Sequence, residues 1–121
     1  ISDKVLFTGF LRGEELRSIF KLADVFVMPS VSEPFGIAAL ESIIHGTPVI
    51  ISKQSGVSEI VQNALKVDFW DTDEMANKIL SVISYQSLKS VLRENGRDEV
   101  GTFSWDTAAN ETLNLYRSLV H

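Results

Sequence analysis

Two glutamates stand eight positions apart in a stretch that otherwise carries mainly apolar or small side chains, residues 30–50, SVSEPFGIAALESIIHGTPVI. Glu33 comes directly before Pro34, and Glu41 falls in the middle of a segment whose pattern predicts a helix. Two carboxylates could act as a general acid and a general base. Alternatively, each could accept two hydrogen bonds from neighbouring hydroxyls of a ligand.

The residues between the two glutamates predict a turn that leads into a helix. Pro34 disfavours helical angles at Glu33 and has no N–H group, so the helix is expected to begin near Phe35 or Gly36. The first N–H groups of a helix have no partner within it and can bind phosphate oxygens. Gly36 would let a ligand approach the backbone closely, although a plain turn glycine gives the same pattern.

Strand-like and helix-like segments alternate along the chain and must position this turn. The pattern predicts strands at 4–10, 24–29, 48–52 and 64–69, and helices at 13–23, 36–45, 57–62, 71–85, 87–100 (ending near residues 95–96) and from residue 104 onwards. This order predicts an α/β fold, a parallel sheet of about four to five strands flanked by helices, with extra C-terminal helices. Ligands of such sheets bind outside the carboxyl ends of the strands, which is where the turn after strand 24–29 lies.

Composition and charge exclude several classes of function. The chain has 121 residues, 45% of them hydrophobic and 22% charged, as expected for one folded domain. It has no cysteine, and His45 and His121 show no ligand spacing, so neither a disulfide nor a metal site is expected. A net charge of −5 with scattered basic residues argues against a nucleic-acid surface. Apolar runs are too short for a transmembrane segment, and a cytoplasmic location is expected.

The motif Glu33-x7-Glu41, followed by Gly-Thr-Pro-Val at 46–49, resembles the signature of retaining, nucleotide-sugar-dependent glycosyltransferases of the GT-B type, family 4 or "group 1". The surrounding segments VLFTGFL, EELRSIFKLADVFVMPS, GVSEIV and FSWDTAANETLNLYRSL are similar too, so the resemblance covers nearly the whole chain. EPFG and KVDFW favour glycogen- or starch-synthase-like members. The resemblance implies a Rossmann-like C-terminal GT-B domain, truncated at its N-terminus.

The resemblance also implies roles for single residues. Glu33 would contact hydroxyls of the transferred sugar and is the catalytic candidate, and Glu41 would hold the ribose diol of the nucleotide. The amides of Phe35, Gly36 and Ile37 would meet the sugar hydroxyls and the distal phosphate, and Phe10 and Leu11 would lie near the base. The nucleotide sugar is a substrate, and no cofactor is implied. These roles, and the place of Glu41 inside a helix, favour hydroxyl binding over the acid–base pair of a glycosidase.

Simpler alternatives stay open for single residues. Glu33 could be an exposed loop carboxylate, and Glu41 could be a helix residue paired with a Lys or Arg. Phe10 could pack in the core instead of lying near a base. The segment QSGVSE resembles a neighbouring loop of the cleft, but Lys53 is favoured as a solvated lysine and Glu59 as a first-turn helix acid.

Residues 1–121 are therefore interpreted as the nucleotide-sugar-binding part of a longer hexosyltransferase. Relative to the family pattern, the upstream Arg and Lys that bind the diphosphate and the N-terminal acceptor-binding domain are absent. The fragment alone is expected to be inactive, with contact to a membrane face only through the absent domain. Two other functions stay open: a nucleotide-sugar epimerase of the same fold, and a non-catalytic partner or regulatory domain.

Overall fold

Three short parallel strands form the sheet in the described part of this protein, and helices connect and cover them. The computed structural model describes residues 2–31, 37–103 and 117–119. Its elements in chain order are a 3₁₀ turn Ser2–Lys4, α1 Gly13–Leu22, β1 Phe26–Met28, α2 Ile37–Ile44, β2 Val49–Ser52, a 3₁₀ turn Gly56–Glu59, β3 Leu65–Val67, α3 Thr72–Ser84 and α4 Gln86–Gly101. The strand order is β1-β2-β3 with both pairs parallel, which confirms the predicted α/β class.

The central strand β2 is buried along its whole length, and the core is built around it. Val49 and Ile51 pack in one cluster with Ala39, Leu40 and Ile43 of α2. Ile50 lies between them in sequence, points to the opposite face and is also fully buried. Both faces of β2 are therefore covered, which explains why this strand reads as a continuous apolar run.

Two helix ends follow the predicted local chemistry. α2 is terminated by Gly46, which lies two residues after its last helical residue, Ile44, and has a φ of +84°. The N–H groups of Gly46 and Thr47 donate to the carbonyls of Ile43 and Ser42, both at 3.0 Å, so they form a Schellman motif. α3 begins after Asp71, whose side chain accepts the N–H of Glu74 at 3.0 Å. Its sequence signature predicts this cap.

The prediction of a first strand at residues 4–10 is wrong. After the 3₁₀ turn Ser2–Lys4 the chain runs without regular structure to α1, and Val5, Leu6, Phe7 and Phe10 are exposed. A strand needs a neighbour that pairs with its backbone, and this segment pairs with no strand of the sheet among the described residues. The described sheet thus has three strands instead of four to five.

The prediction that the helix ends near residues 95–96 is also wrong, because α4 continues to Gly101. Gly96 is buried where α4 crosses α2, and a Cβ at this position would lie 3.1 Å from Cγ2 of Ile43. The glycine allows close helix packing and does not stop the helix. The helix predicted at 57–62 is only a 3₁₀ turn, and the one predicted from residue 104 lies largely outside the described residues.

Candidate functional site

The predicted turn between β1 and α2 lies outside the described residues. Residues 32–36 are not described, so the structure gives no position for Glu33, Phe35 or Gly36. Both flanks of the turn are described. The chain leaves β1 at Met28, at the carboxyl edge of the sheet, and α2 begins at Ile37, which is 52% exposed. The segment predicted to be a turn therefore follows the carboxyl end of a parallel strand and precedes a helix.

Glu41 lies on α2, four residues, or about one helical turn, after Ile37. It is half-buried, and the next residue, Ser42, is fully buried. Its backbone carbonyl accepts the N–H of His45 at 3.1 Å, while His45 Nδ1 lies 2.7 Å from the same oxygen. Within the described part of the chain, the Glu41 carboxylate has no Lys or Arg partner. The structural ion pair considered as an alternative is therefore not found there.

The loops that follow the three strands are tied together at this edge. The hydroxyl of Ser52, at the end of β2, donates to the carbonyl of Ser30, just beyond β1. The Gln54 amide donates to Asp68 Oδ1 at 2.9 Å and accepts the N–H of Phe69 at 3.0 Å, which joins the loops after β2 and β3. Sequence reasoning did not single out Gln54 or Asp68, since their partners lie 14 and 15 residues away along the chain.

The loop after β2 is also held from within by serine hydroxyls. Ser55 Oγ donates to the Ser52 carbonyl at 2.7 Å, and Ser58 Oγ lies 2.7 Å from the Ser55 carbonyl and 2.8 Å from that of Lys53. Lys53 itself is exposed, 3.9 Å from Asp68, as favoured for a solvated lysine. Glu59 is exposed at the end of the 3₁₀ turn. These hydrogen bonds therefore hold the loop after β2 in one conformation at the carboxyl edge of the sheet.

Phe10 and Leu11, predicted near the nucleotide base, lie before α1. Phe10 is 81% exposed and the guanidinium of Arg12 sits 4.7 Å from its ring centroid. Leu11 is half-buried. Phe10 is thus not part of the described core, and its ring is open to a planar partner.

Glu99 is a carboxylate that the motif search missed and that the structure shows to be well bound. It accepts the N–H groups of Gln62 at 2.7 Å and Asn63 at 2.8 Å, and the Asn63 side-chain amide at 3.0 Å. Burial opposes its charge, but these hydrogen bonds and the nearby Lys66 outweigh burial, so the pKa of Glu99 is lowered. Glu99 therefore anchors α4 to the segment before β3.

The described residues contain neither a candidate membrane-spanning helix nor a candidate metal-binding cluster. No helix there has the length and apolar character needed to cross a bilayer. No group of three or more His, Asp or Glu side chains in those residues is placed to hold a metal ion.

Comparison with known proteins gives consistent matches along the chain. Residues 1–99 match the sequence model of the family described as glycosyl transferases group 1. An uncharacterised glycosyltransferase of Methanocaldococcus jannaschii is 39% identical, and the match covers 97% of this chain and 31% of that protein. The chain thus spans about a third of the length of this relative.

Two solved structures resemble the fold described above. The sucrose-phosphate synthase from Thermosynechococcus elongatus aligns with a TM-score of 0.82 and 35% identity, over 98% of this chain and 31% of that one. The C-terminal domain of a group 1 family glycosyl transferase from Francisella tularensis aligns with a TM-score of 0.71 and 31% identity, over 79% of this chain and 51% of that one. These similarities bear out the family resemblance and the GT-B type of fold.

Proposed function

Because the chain belongs to the group 1 glycosyltransferases, we propose that it is the donor-binding part of an enzyme that moves a hexosyl unit from a nucleoside diphosphate sugar to a hydroxyl acceptor, with retention of configuration. The observation that supports the proposal is where the motif Glu33-x7-Glu41 falls along the sequence relative to β1 and α2. The motif spans the connection from the carboxyl end of β1 to the first turns of α2. In a parallel sheet, this edge is where ligands bind.

The start of α2 suits the phosphate end of the donor. The first turn of the helix contains no acidic residue, so its positive end is not offset by its own side chains. In the proposed site, the amides of Phe35, Gly36 and Ile37 donate to the sugar hydroxyls and the distal phosphate. Glu33 then binds the hydroxyls of the sugar that is transferred and is the catalytic candidate.

Glu41 suits the ribose. It lies one turn further along α2, which places it about 6 Å along the helix axis from Ile37. Its half-buried carboxylate has no basic partner among the described residues and can accept two hydrogen bonds from a vicinal diol. Phe10, with its open ring, and Leu11 would lie near the base.

The donor roles are tested in the full-length protein by Glu33→Ala and Glu41→Ala, with product formation measured across UDP-, ADP- and GDP-sugars. Each variant should lose roughly ten- to a hundredfold in transfer rate, since each removes hydrogen bonds to a charged group. Glu94→Ala, an exposed position on α4, is the control and should keep the parent rate. Normal transfer by both site variants, or release of an epimerised monosaccharide in place of a glycoside, would contradict the proposal.

The 121-residue chain alone should bind these donors weakly and transfer no sugar. In the proposal, the acceptor-binding domain and the basic residues that hold the diphosphate belong to another part of the protein. Calorimetry with the three nucleotide sugars tests this directly. Micromolar donor binding by the isolated chain would show that the site is complete within residues 1–121.

A further inference from the structure

A basic cavity lies at the amino edge of the sheet, opposite the edge where α2 begins. Its volume is about 340 Å³. Its walls come from the residues that precede β1 and β2 and from one face of α4: Lys21, Ala23, His45, Gly46, Arg93 and Arg97. The lining contains three basic side chains and no carboxylate, although the chain as a whole carries a net charge of −5.

The basic side chains of this cavity have no acidic partner among the described residues. Lys21, Arg93 and Arg97 form no ion pair within the described ranges. By contrast, Lys89, one turn before Arg93 on α4, pairs with Asp24 at 2.9 Å. Along the same helix face, Lys89 outside the cavity thus has an ion-pair partner, whereas the two arginines that line the cavity have none within the described ranges.

Part of the positive charge of the cavity has a structural role, because it offsets the negative ends of two helices. Arg93 Nε donates to the carbonyl of Gly46 at 2.9 Å, and the Arg97 guanidinium lies so close to Gly46 that a Cβ there would be 2.5 Å from Nη2. Both arginines therefore face the C-terminal end of α2, and Lys21 lies in the last turn of α1. Each helix end carries about half a negative charge. Two such ends offset about one of the three positive charges, and Arg93 has four further N–H donors.

We propose that this cavity binds the phosphate group of a small organic phosphate, in addition to the donor site proposed above. Side chains four residues apart on a helix have Cβ atoms about 5–6 Å apart, so Arg93 and Arg97 can both reach one phosphate. Their planar forks match phosphate oxygens, and Lys21, which also lines the cavity, supplies a further positive charge. The cavity volume lies in the range of small-molecule sites.

Pyrophosphate titration of the full-length protein tests the proposal, with TROSY spectra recorded on the amide resonances of Gly46 and Thr47. Gly46 lines the cavity and Thr47 follows it, whereas the proposed donor site lies at the other end of α2. We expect saturable shifts in the parent protein. Arg97→Gln and the exposed Lys21→Gln should each weaken the affinity roughly tenfold, as expected for one lost charge-assisted hydrogen bond.

Lys78→Gln is the matched control, because Lys78 lies on α3 and pairs with Glu74 at 3.1 Å. It should leave the titration unchanged. Thermal unfolding of each variant verifies that it is folded, and Lys21→Gln keeps the test valid if Arg97→Gln unfolds. The proposal is overturned if millimolar pyrophosphate fails to move the two resonances, if the substitutions leave the affinity unchanged, or if succinate binds as tightly as pyrophosphate.

Vesicle co-sedimentation identifies the source of the phosphate. Phosphatidylglycerol vesicles that bind the parent but not Lys21→Gln or Arg97→Gln, with phosphatidylcholine vesicles as the uncharged comparison, would assign the cavity to a lipid headgroup. Saturable pyrophosphate binding without vesicle binding would assign it to a soluble phosphate ester. Either result supports the proposed phosphate chemistry.

Discussion

Individual carboxylates of this chain have different surroundings, and only some could be recognised from sequence. The spacing of Glu33 and Glu41 lies within one short motif, so the pattern alone indicated a site. Asp71 caps α3 by accepting the N–H of a residue only three positions later, so its role could also be recognised from the sequence. Glu99 was not recognised, because its partners Gln62 and Asn63 are 37 and 36 residues distant in sequence and meet it only after folding.

Glu99→Gln tests the anchoring role of this carboxylate through pH. Because the pKa of Glu99 is lowered in the folded protein, its charge stabilises the fold at neutral pH. That contribution is complete above the ordinary glutamate pKa of roughly 4.3 and is lost as the pH falls through the lowered pKa. The variant should be less stable by about 1 kcal/mol at neutral pH and lose less stability on acidification.

Urea denaturation of the parent and the variant at neutral and acidic pH measures the difference. Glu94→Gln, exposed on the same helix, is the control and should follow the parent at both pH values. Identical pH dependence of Glu99→Gln and the parent would mean that the hydrogen bonds to Gln62 and Asn63 do not depend on the charge.

At the scale of elements, buried apolar runs and cap residues predicted the fold well. β2 was recognised because both of its faces are covered, and α3 because Asp71 marks its start. Two local patterns were misleading. Segment 4–10 has the composition of a strand, but it has no strand to pair with in the described structure. Gly96 is a residue type that often follows a helix, but here it lies inside α4 and allows close packing against α2. Both errors concern partners that are distant in sequence.

Gly96→Leu and Gly101→Leu compare two glycines of the same helix. A Cβ at Gly96 would lie 3.1 Å from Ile43 Cγ2, whereas one at Gly101 would meet nothing within 4 Å. We therefore expect Gly96→Leu to lower the free energy of unfolding by about 1–3 kcal/mol through overpacking between α2 and α4. Gly101→Leu should change it by less than about 0.5 kcal/mol. Equal effects in denaturant titrations would show that α4 can move away from α2.

At the scale of the whole molecule, the segment before α1 forms an exposed apolar surface within the described residues. Leu6, Phe7 and Phe10 are 84%, 92% and 81% exposed, and they follow one another closely along the chain. Large exposed apolar side chains in one region favour association with other surfaces. None of the three belongs to the hydrophobic core cluster of the described residues.

Phe7→Ser combined with Phe10→Ser should therefore separate association from stability. We expect the free energy of unfolding to change by less than about 0.5 kcal/mol, because neither ring is packed in the core. Self-association of the 121-residue chain, measured by sedimentation velocity over a concentration series, should decrease. Phe20→Ser, at a 3% exposed position, is the contrasting variant and should cost about 3–5 kcal/mol. Unchanged association of the double variant would locate the contact elsewhere.

The parallel pairing of the sheet has a consequence for how the chain folds. Phe26 aligns with Val49, and Ile50 with Leu65, so each pairing closes a long loop and neither can start from a tight hairpin. The entropy of these loops must be lost before the strands gain any hydrogen bonds. Helices α1 and α2 have 10 and 8 residues, which is too short for stability in isolation, so we expect α2 to form together with its packing on β2. We expect the rate of folding to respond more to substitutions in α2 and β2 than to substitutions of exposed residues.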